Sequence, residues 1–261
     1  MQNKEAMEVI FLGTGTSHGI PVIGCDCPVC TSSDPRNNRT RCSVYVRAEG
    51  ADIIIDMTPE FRIQMLREKL SAADAVLITH THADHLHGLD DIRPMTFKRP
   101  MPFYGSTKVV GIIRKRFDYI FNVTQMGGGK PHIQLNPVEG PFHITTRDGG
   151  KLEIIPVPML HGKLETFGYR IGDFAYLTDC SYIPKSSMRL LQGLKVLVLD
   201  ALKYKDHPTH LTVEKALAVA QKIGAERTYF THMCHDIDHS KLLSELPAGI
   251  EPAYDGLRIT I

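Results

Sequence analysis

This sequence has few of the features that would fix its class at once. No apolar stretch reaches the roughly 20 residues needed to cross a bilayer, so no membrane span is expected. The opening Met1-Gln-Asn-Lys-Glu-Ala-Met7 lacks the basic flank and apolar run of a signal peptide, and a cytoplasmic protein is expected. Net charge is nearly nil, with 30 Lys and Arg against 29 Asp and Glu. That balance gives no overall field for gripping a long polyanion, so a small substrate is expected and a long nucleic acid is not. No repeat, low-complexity tract or composition shift divides the chain, and its 261 residues, 43% of them hydrophobic, are expected to form one domain over 1–261.

Cysteine is scarce too, with six in all, yet three crowd into Gly24-Cys-Asp-Cys-Pro-Val-Cys30. Three is odd for disulfides and one short of a tetrahedral metal site. In a reducing compartment clustered cysteines hold metal more often than they pair, so a fourth ligand is expected from elsewhere. Cys42 and Cys180 stand alone beside apolar residues and read as small core hydrophobes.

Short β-rich runs dominate: Glu8–Leu12, Ser43–Val46, Asp52–Ile55, Ala75–Ile78, Leu152–Ile155, Phe167–Ile171, Phe174–Leu177, Val196–Leu199 and Arg227–Phe230. Their β-branched residues and flanking Gly, Asp or Pro predict strands, several buried on both faces. Helical patterns fall between them at about 60–70, 84–93, 107–121, 184–192, 212–223 and 239–245, the fifth opened by Thr212 and ended by Gly224. This interleaving predicts an α/β or layered α+β class. The segment Gln125-Met-Gly-Gly-Gly-Lys-Pro131 is the best loop candidate.

The richest chemical signal is Leu77-Ile-Thr-His-Thr-His-Ala-Asp-His-Leu-His-Gly-Leu89. His80 and His82, two apart at a strand end, point the same way and can converge on one ion. Asp84 and His85, on the turn into the next helix, can face a second. Imidazole and carboxylate without thiolate suit Zn, Mn or Fe. Further polar groups end apolar strands at His161, Asp179 and His232, where α/β architectures place their sites.

The run His80-Thr-His-Ala-Asp-His85, with His161, Asp179 and His232 downstream in that order, resembles the metallo-β-lactamase-fold hydrolase superfamily. The resemblance implies a single-domain, four-layer αβ/βα sandwich with two divalent ions, Mn or Zn, in its cleft. It implies that His80, His82 and His161 hold one ion, that Asp84, His85 and His232 hold the other, and that Asp179 bridges them. His235 is the natural completion of Cys25, Cys27 and Cys30 as a closed structural zinc site on the loop 24–31, with Cys234 as rival. This cluster resembles the cyclic-phosphate phosphodiesterase branch associated with carbon–phosphorus lyase pathways, to which Pro28 and the Gly13-Thr-Gly15 turn also conform.

Paired ions can activate water and neutralise charge on a phosphoryl group, and the leaving oxygen needs a proton donor. By resemblance that donor is His210, with His207 as alternative, and Asp84 and His210 are the expected catalytic residues. Asp56 and Asp200 end apolar runs where carboxylates would orient ligand histidines, or else serve only as turn residues. Gly13-Thr-Gly-Thr-Ser-His-Gly19 either presents amides to a phosphate or makes a tight reversal. His87, His132, His143 and His239 read as structural or solvated. The expected function is therefore metal-dependent hydrolysis of a small, cyclic or nucleotide phosphodiester. The alternatives are a tRNA 3′-processing nuclease, which should carry a long basic arm, and a non-catalytic cofactor-biosynthesis binding protein, which should have lost ligands. The resemblance also implies a homodimer.

Overall fold

Along Glu8–Gly13, the first strand (β1), Val9 and Phe11 face one way and Ile10 and Leu12 the other, and all four are fully buried. Such a strand needs apolar cover on both faces. The protein, a computed structural model that describes residues 6–122 and 129–261, supplies that cover with two seven-stranded sheets packed face to face and helices on both outer sides. The layered α/β sandwich expected above is the architecture found.

The first sheet places β1, β2 (Ser43–Ala48), β3 (Ala51–Ile55), β4 (Ala75–Leu77), β5 (Met101–Gly105) and β6 (Ile133–Pro137) side by side. The second holds β7 (Phe142–Thr145), β8 (Lys151–His161), β9 (Leu164–Ile171), β10 (Phe174–Leu177), β11 (Val196–Asp200), β12 (Arg227–Thr231) and β13 (Ile250–Pro252), again in chain order. The last strand, β14 (Arg258–Thr260), returns to pair with β1. Between the sheets Phe11, Val44, Ile53, Leu77, Tyr169, Phe174, Tyr176 and Val198 share one core, each buried side chain of this kind being worth about 1.5–3 kcal/mol.

On the outer face of the first sheet lie α1 (Phe61–Arg67), α2 (Ala83–Leu86), α3 (Thr107–Arg116) and α4 (Asp118–Phe121); α5 (Lys185–Arg189), α6 (Val213–Ile223) and α7 (His239–Glu245) cover the second. As predicted, α6 starts at Thr212, whose hydroxyl accepts from Lys215 N, and stops at Gly224 in the left-handed region at φ +70°.

The helix expected at 84–93 is broken. After α2 the chain continues as a 3-10 segment, Leu89–Thr96; at the junction Gly88 presses against the Thr58 carbonyl so closely that a Cβ would lie 1.9 Å from it. The expected 107–121 helix divides at Phe117 into α3 and α4. Strands β5, β6, β7, β13 and β14 escaped the sequence reading, being short and carrying Pro102, Pro137 or Pro252, or alternating with polar residues. Conversely, β8 runs on through Pro156 and Pro158, since β7 pairs it only as far as Ile154 and the next bridge on that edge comes at Leu160. Of the proposed loop Gln125–Pro131, residues 125–128 lie outside the described residues.

Candidate metal centre

Strand ends deliver the polar groups. β3 runs into Asp56, β4 into Thr79 and His80, and β10 into Asp179; β8 ends in His161, β11 in Asp200, and β12 runs into His232. Leaving these strands strains the backbone: Asp56, Asp179 and His232 sit at φ +66°, +50° and +60°. They are three of the five non-glycine residues with positive φ among those described, so the strain, about 1–2 kcal/mol per position, is concentrated at this cluster. The single turn of α2 is anchored from outside, with Met57 N donating to the His85 carbonyl at 2.8 Å and Gly88 N to the Met57 carbonyl at 3.0 Å.

Asp179 organises the cluster by dividing its two oxygens. Oδ1 lies 3.7 Å from His80 Nε2 and 3.8 Å from His161 Nε2. Oδ2 lies 3.0 Å from His85 Nε2 and 3.2 Å from His232 Nε2. Asp84 Oδ2 joins the second group, 3.2 Å from His85 Nε2 and 3.6 Å from His232 Nε2. His82 joins the first, its Nδ1 2.9 Å from His80 Nε2. The donor atoms of His80, His82, His161 and Asp179 all fall within 4.8 Å of one another. All of these residues except the exposed His82 are buried.

Each ring is aimed by what holds its far side. His85 Nδ1 meets Asp56 Oδ2 at 2.8 Å, and Asp56 is itself held by Thr79 N and Oγ1 at 2.9 and 2.8 Å. His161 Nδ1 donates to the Thr209 carbonyl at 2.7 Å. Asp200 accepts from Leu211 N at 2.9 Å and faces His210 Nδ1 at 3.1 Å and His232 Nδ1 at 3.6 Å. His210 Nε2 then points inward, 3.9 Å from Asp179 Oδ1. Asp56 and Asp200 thus stand where orienting carboxylates were expected.

The charge balance asks for cations. Burial pushes His80 and His161 below the ordinary imidazole range, making them neutral donors. Burial acts the same way on His85 and His232, but Asp179 and Asp84 overcome it and hold both above that range. Asp179, despite burial, is pulled well below the carboxylate range by His232, His85 and His80. Protons therefore gather where two carboxylates need positive charge. Moreover, His85 Nε2 and His232 Nε2 are buried without a hydrogen-bond partner, although Asp179 Oδ2 is near, since neither ring is angled to bond it. Orphan nitrogens converging beside paired carboxylates fit divalent cations.

The second cluster is the one at which the cysteines gather. Cys25, Cys27 and Cys30 Sγ lie 3.2, 3.6 and 3.6 Å from His235 Nδ1. A tetrahedral zinc with ordinary Zn–S and Zn–N bonds sets its ligands about 3.6 Å apart, so this set fits one ion. The Cys30 N–H, 3.4 Å from the sulfur, lowers the Cys27 thiol to about 7, while burial pushes Cys30 up to about 11. Cys234 turns away, its sulfur accepting from Asp236 N at 3.4 Å.

Several residues in this region gave no signal in the sequence. Arg39, 1% exposed, donates to the Cys234 and Ile237 carbonyls and to Asn37 Oδ1, tying the cysteine loop to the segment after β12. Burial lowers it to about 10, and an arginine among polar loop residues carries no mark of such burial. Thr79 fixes Asp56 through its N–H and hydroxyl. Cys180 does sit in the core. Cys42 instead lies beneath the site, its sulfur 3.2 Å from Thr178 Oγ1 and within 4.8 Å of donor atoms on His85, Asp179 and His232; burial keeps it a thiol.

The Gly13–Gly19 turn is a chain reversal rather than a phosphate cradle. Thr14 N and Gly15 N donate to the Thr40 carbonyl, Thr16 N to Met233 O and Gly19 N to Thr16 O. A Cβ on Gly13 would lie 2.0 Å from Arg41 O, so the glycine allows that close approach. His207 meets Thr209 Oγ1 at 3.2 Å. His87, His132 and His143 are exposed, and His239 packs against Tyr254.

Residues 51–233 match the model of the Beta-lactamase superfamily domain, and the chain belongs to that superfamily. The crystal structure of a diphosphatase from the PhnP family superposes with a TM-score of 0.90 at 43% identity, covering 98% of this chain and 97% of that one. An octanoyltransferase of Porphyromonas gingivalis (strain ATCC BAA-308 / W83) is 37% identical over 98% of this chain, which spans about half, 52%, of that protein's length. A coenzyme PQQ synthesis protein B of Methylobacterium radiotolerans is 31% identical, over 77% of this chain and 74% of that protein.

Proposed function

We propose that this chain is a metal-dependent phosphodiesterase acting on small phosphodiesters, cyclic phosphates or nucleotides among them. The observation that carries the reading is the division of Asp179: His80, His82 and His161 gather on its Oδ1 side, with His210 beside them, and Asp84, His85 and His232 on its Oδ2 side. In this reading His80, His82 and His161 hold one divalent ion, Asp84, His85 and His232 the other, and Asp179 both. Cys25, Cys27, Cys30 and His235 hold a structural zinc. When bound, the paired ions, Mn or Zn, lower the pKa of water and neutralise charge at the phosphoryl group.

The chain's own residues supply the rest. Hydrolysis forms a P–O bond to water and breaks the P–O bond to the leaving oxygen, which departs with a proton. In this reading His210 gives that proton from Nε2; its contact with Asp200 through Nδ1, which turns Nε2 inward, supports the role. Asp56 and Thr209 keep His85 and His161 turned inward. Asp84 and Asp179 provide negative charge that holds the ions against the pull of an anionic substrate.

The diphosphatase relative supports a phosphoryl substrate, and a diphosphate ester differs from a phosphodiester only in its leaving group. The relative in coenzyme PQQ synthesis favours the binding-protein alternative, but here all seven candidate positions are filled. The test is turnover by metal-reconstituted protein of a 2′,3′-cyclic nucleotide, bis-p-nitrophenyl phosphate, a diphosphate diester, a β-lactam and a thioester. The phosphoryl substrates should turn over; hydrolysis of the lactam or thioester alone would defeat the reading.

A further inference from the structure

Beside the cluster lies a wide-mouthed surface cavity of about 660 Å³ that the chemistry above does not use. Thr81 and Ala83, which flank the ligand-bearing His82, form part of its wall. α2 serves both spaces: Asp84 and His85 face the cluster, while Ala83 and His87, four apart and so on one face of the turn, line the cavity. A substrate whose phosphoryl group sits at His82 therefore has its remaining part directed here.

The lining is mixed in a particular way. Phe117 offers a half-buried ring, with the His87 ring edge-on to it at 6.1 Å. Tyr119 donates its hydroxyl to Asp90 Oδ1 at 2.7 Å, leaving Oδ2 of that carboxylate to accept from a ligand. Arg116 donates Nη1 to the Thr81 carbonyl, which holds the guanidinium at the cluster end of the cavity with other N–H groups to spare. A carboxylate in the wall disfavours a second, isolated phosphate. An aromatic face, a hydroxyl acceptor and a guanidinium near the reacting phosphoryl together match a nucleoside: base on ring, sugar hydroxyls on carboxylate, phosphate on arginine.

Resting on the phosphodiesterase reading, we infer that this cavity is a nucleoside subsite, with Phe117, Asp90 and Arg116 as the residues that select a nucleotide over a bare phosphate ester. Calorimetric titration of the metal-loaded protein with AMP and with ribose 5-phosphate tests it. AMP should bind at least tenfold more tightly than ribose 5-phosphate, and Phe117→Leu, which keeps an apolar side chain against the core, should erase most of that difference. Arg116→Ala, at an exposed position, should weaken both ligands. Equal binding of the two ligands by the unaltered protein, or AMP binding indifferent to both substitutions, overturns the inference. Turnover of a nucleoside 5′-(p-nitrophenyl phosphate) is scored separately: absent turnover with Phe117-dependent AMP binding removes the phosphodiesterase reading and leaves the subsite standing.

Discussion

His210 stacks on His232 with ring centroids 4.7 Å apart and planes 16° from parallel. The stack exists because both Nδ1 atoms face Oδ1 of one fully buried carboxylate, Asp200, whose other oxygen is taken by Leu211 N. One side chain thus bonds the proposed acid directly and faces a proposed ligand at 3.6 Å. Asp200→Asn keeps the shape but cannot accept on both sides, since its amide must face either Leu211 N–H or an imidazole N–H. We expect kcat to fall about 10- to 100-fold, with metal occupancy of the paired site reduced as well. Kinetics and elemental analysis on the same preparation measure both effects; wild-type values for each would show that Asp200 only fills space.

His210→Ala separates proton donation from everything else the site does. An alkoxide leaving group needs a proton at departure, whereas p-nitrophenolate leaves readily without one. The substitution should slow an alkyl or cyclic diester by about 10²- to 10⁴-fold and bis-p-nitrophenyl phosphate far less. His207, 5.2 Å away and tied to Thr209, is the control. If both substrates lose rate equally, His210 is not the acid.

Asp56 combines two demands, a left-handed backbone at φ +66° and an acceptor for His85 and Thr79. Asparagine tolerates that conformation nearly as well as aspartate, so Asp56→Asn alters the acceptor alone. It should fold with little change in melting temperature yet bind metal about 10- to 100-fold more weakly in a chelator competition. Asp56→Ala should add about 1–2 kcal/mol of backbone strain, seen as a lower melting temperature of metal-free protein. Unchanged affinity in the asparagine variant would remove Asp56 from the orienting role.

Much of this site was legible in the sequence because its candidate ligands sit at strand ends, and strand ends are marked by apolar runs that stop at a polar residue. His80, His161, Asp179, Asp200 and His232 are all announced in that way. Asp56 is announced too, but nothing in Ile53-Ile-Ile-Asp56 tells that its backbone turns left-handed. Arg39 and Thr79 were invisible for another reason: their roles come from tertiary hydrogen bonds to residues far along the chain, which leave no local pattern. The missed strands β5 and β6 depend on pairing with neighbours rather than on intrinsic preference, so Met101-Pro-Phe-Tyr-Gly105 gave only a weak signal. Cys42 is buried as expected, but isolation among apolar residues does not tell that it lies directly beneath the cluster.

The cysteine cluster makes the last prediction. Cys27→Ser should lose one zinc per chain by elemental analysis while the paired site stays loaded, because the two donor sets share no residue. His235→Ala should do the same, and Cys234→Ser should not, its sulfur being turned toward Asp236 N. Structural zinc carries about 10 kcal/mol or more of coupled free energy in small metal-dependent domains, but here two large cores on either side of the second sheet hold the fold without it. The loss should therefore appear locally, as faster amide exchange over residues 20–31 and 232–238, where Arg39 still ties the two segments together. Activity should drop with it, since His232 begins the loosened segment. Zinc retained in Cys27→Ser, or lost in Cys234→Ser, would mean that the sulfurs at 25, 27 and 30 hold no ion with His235.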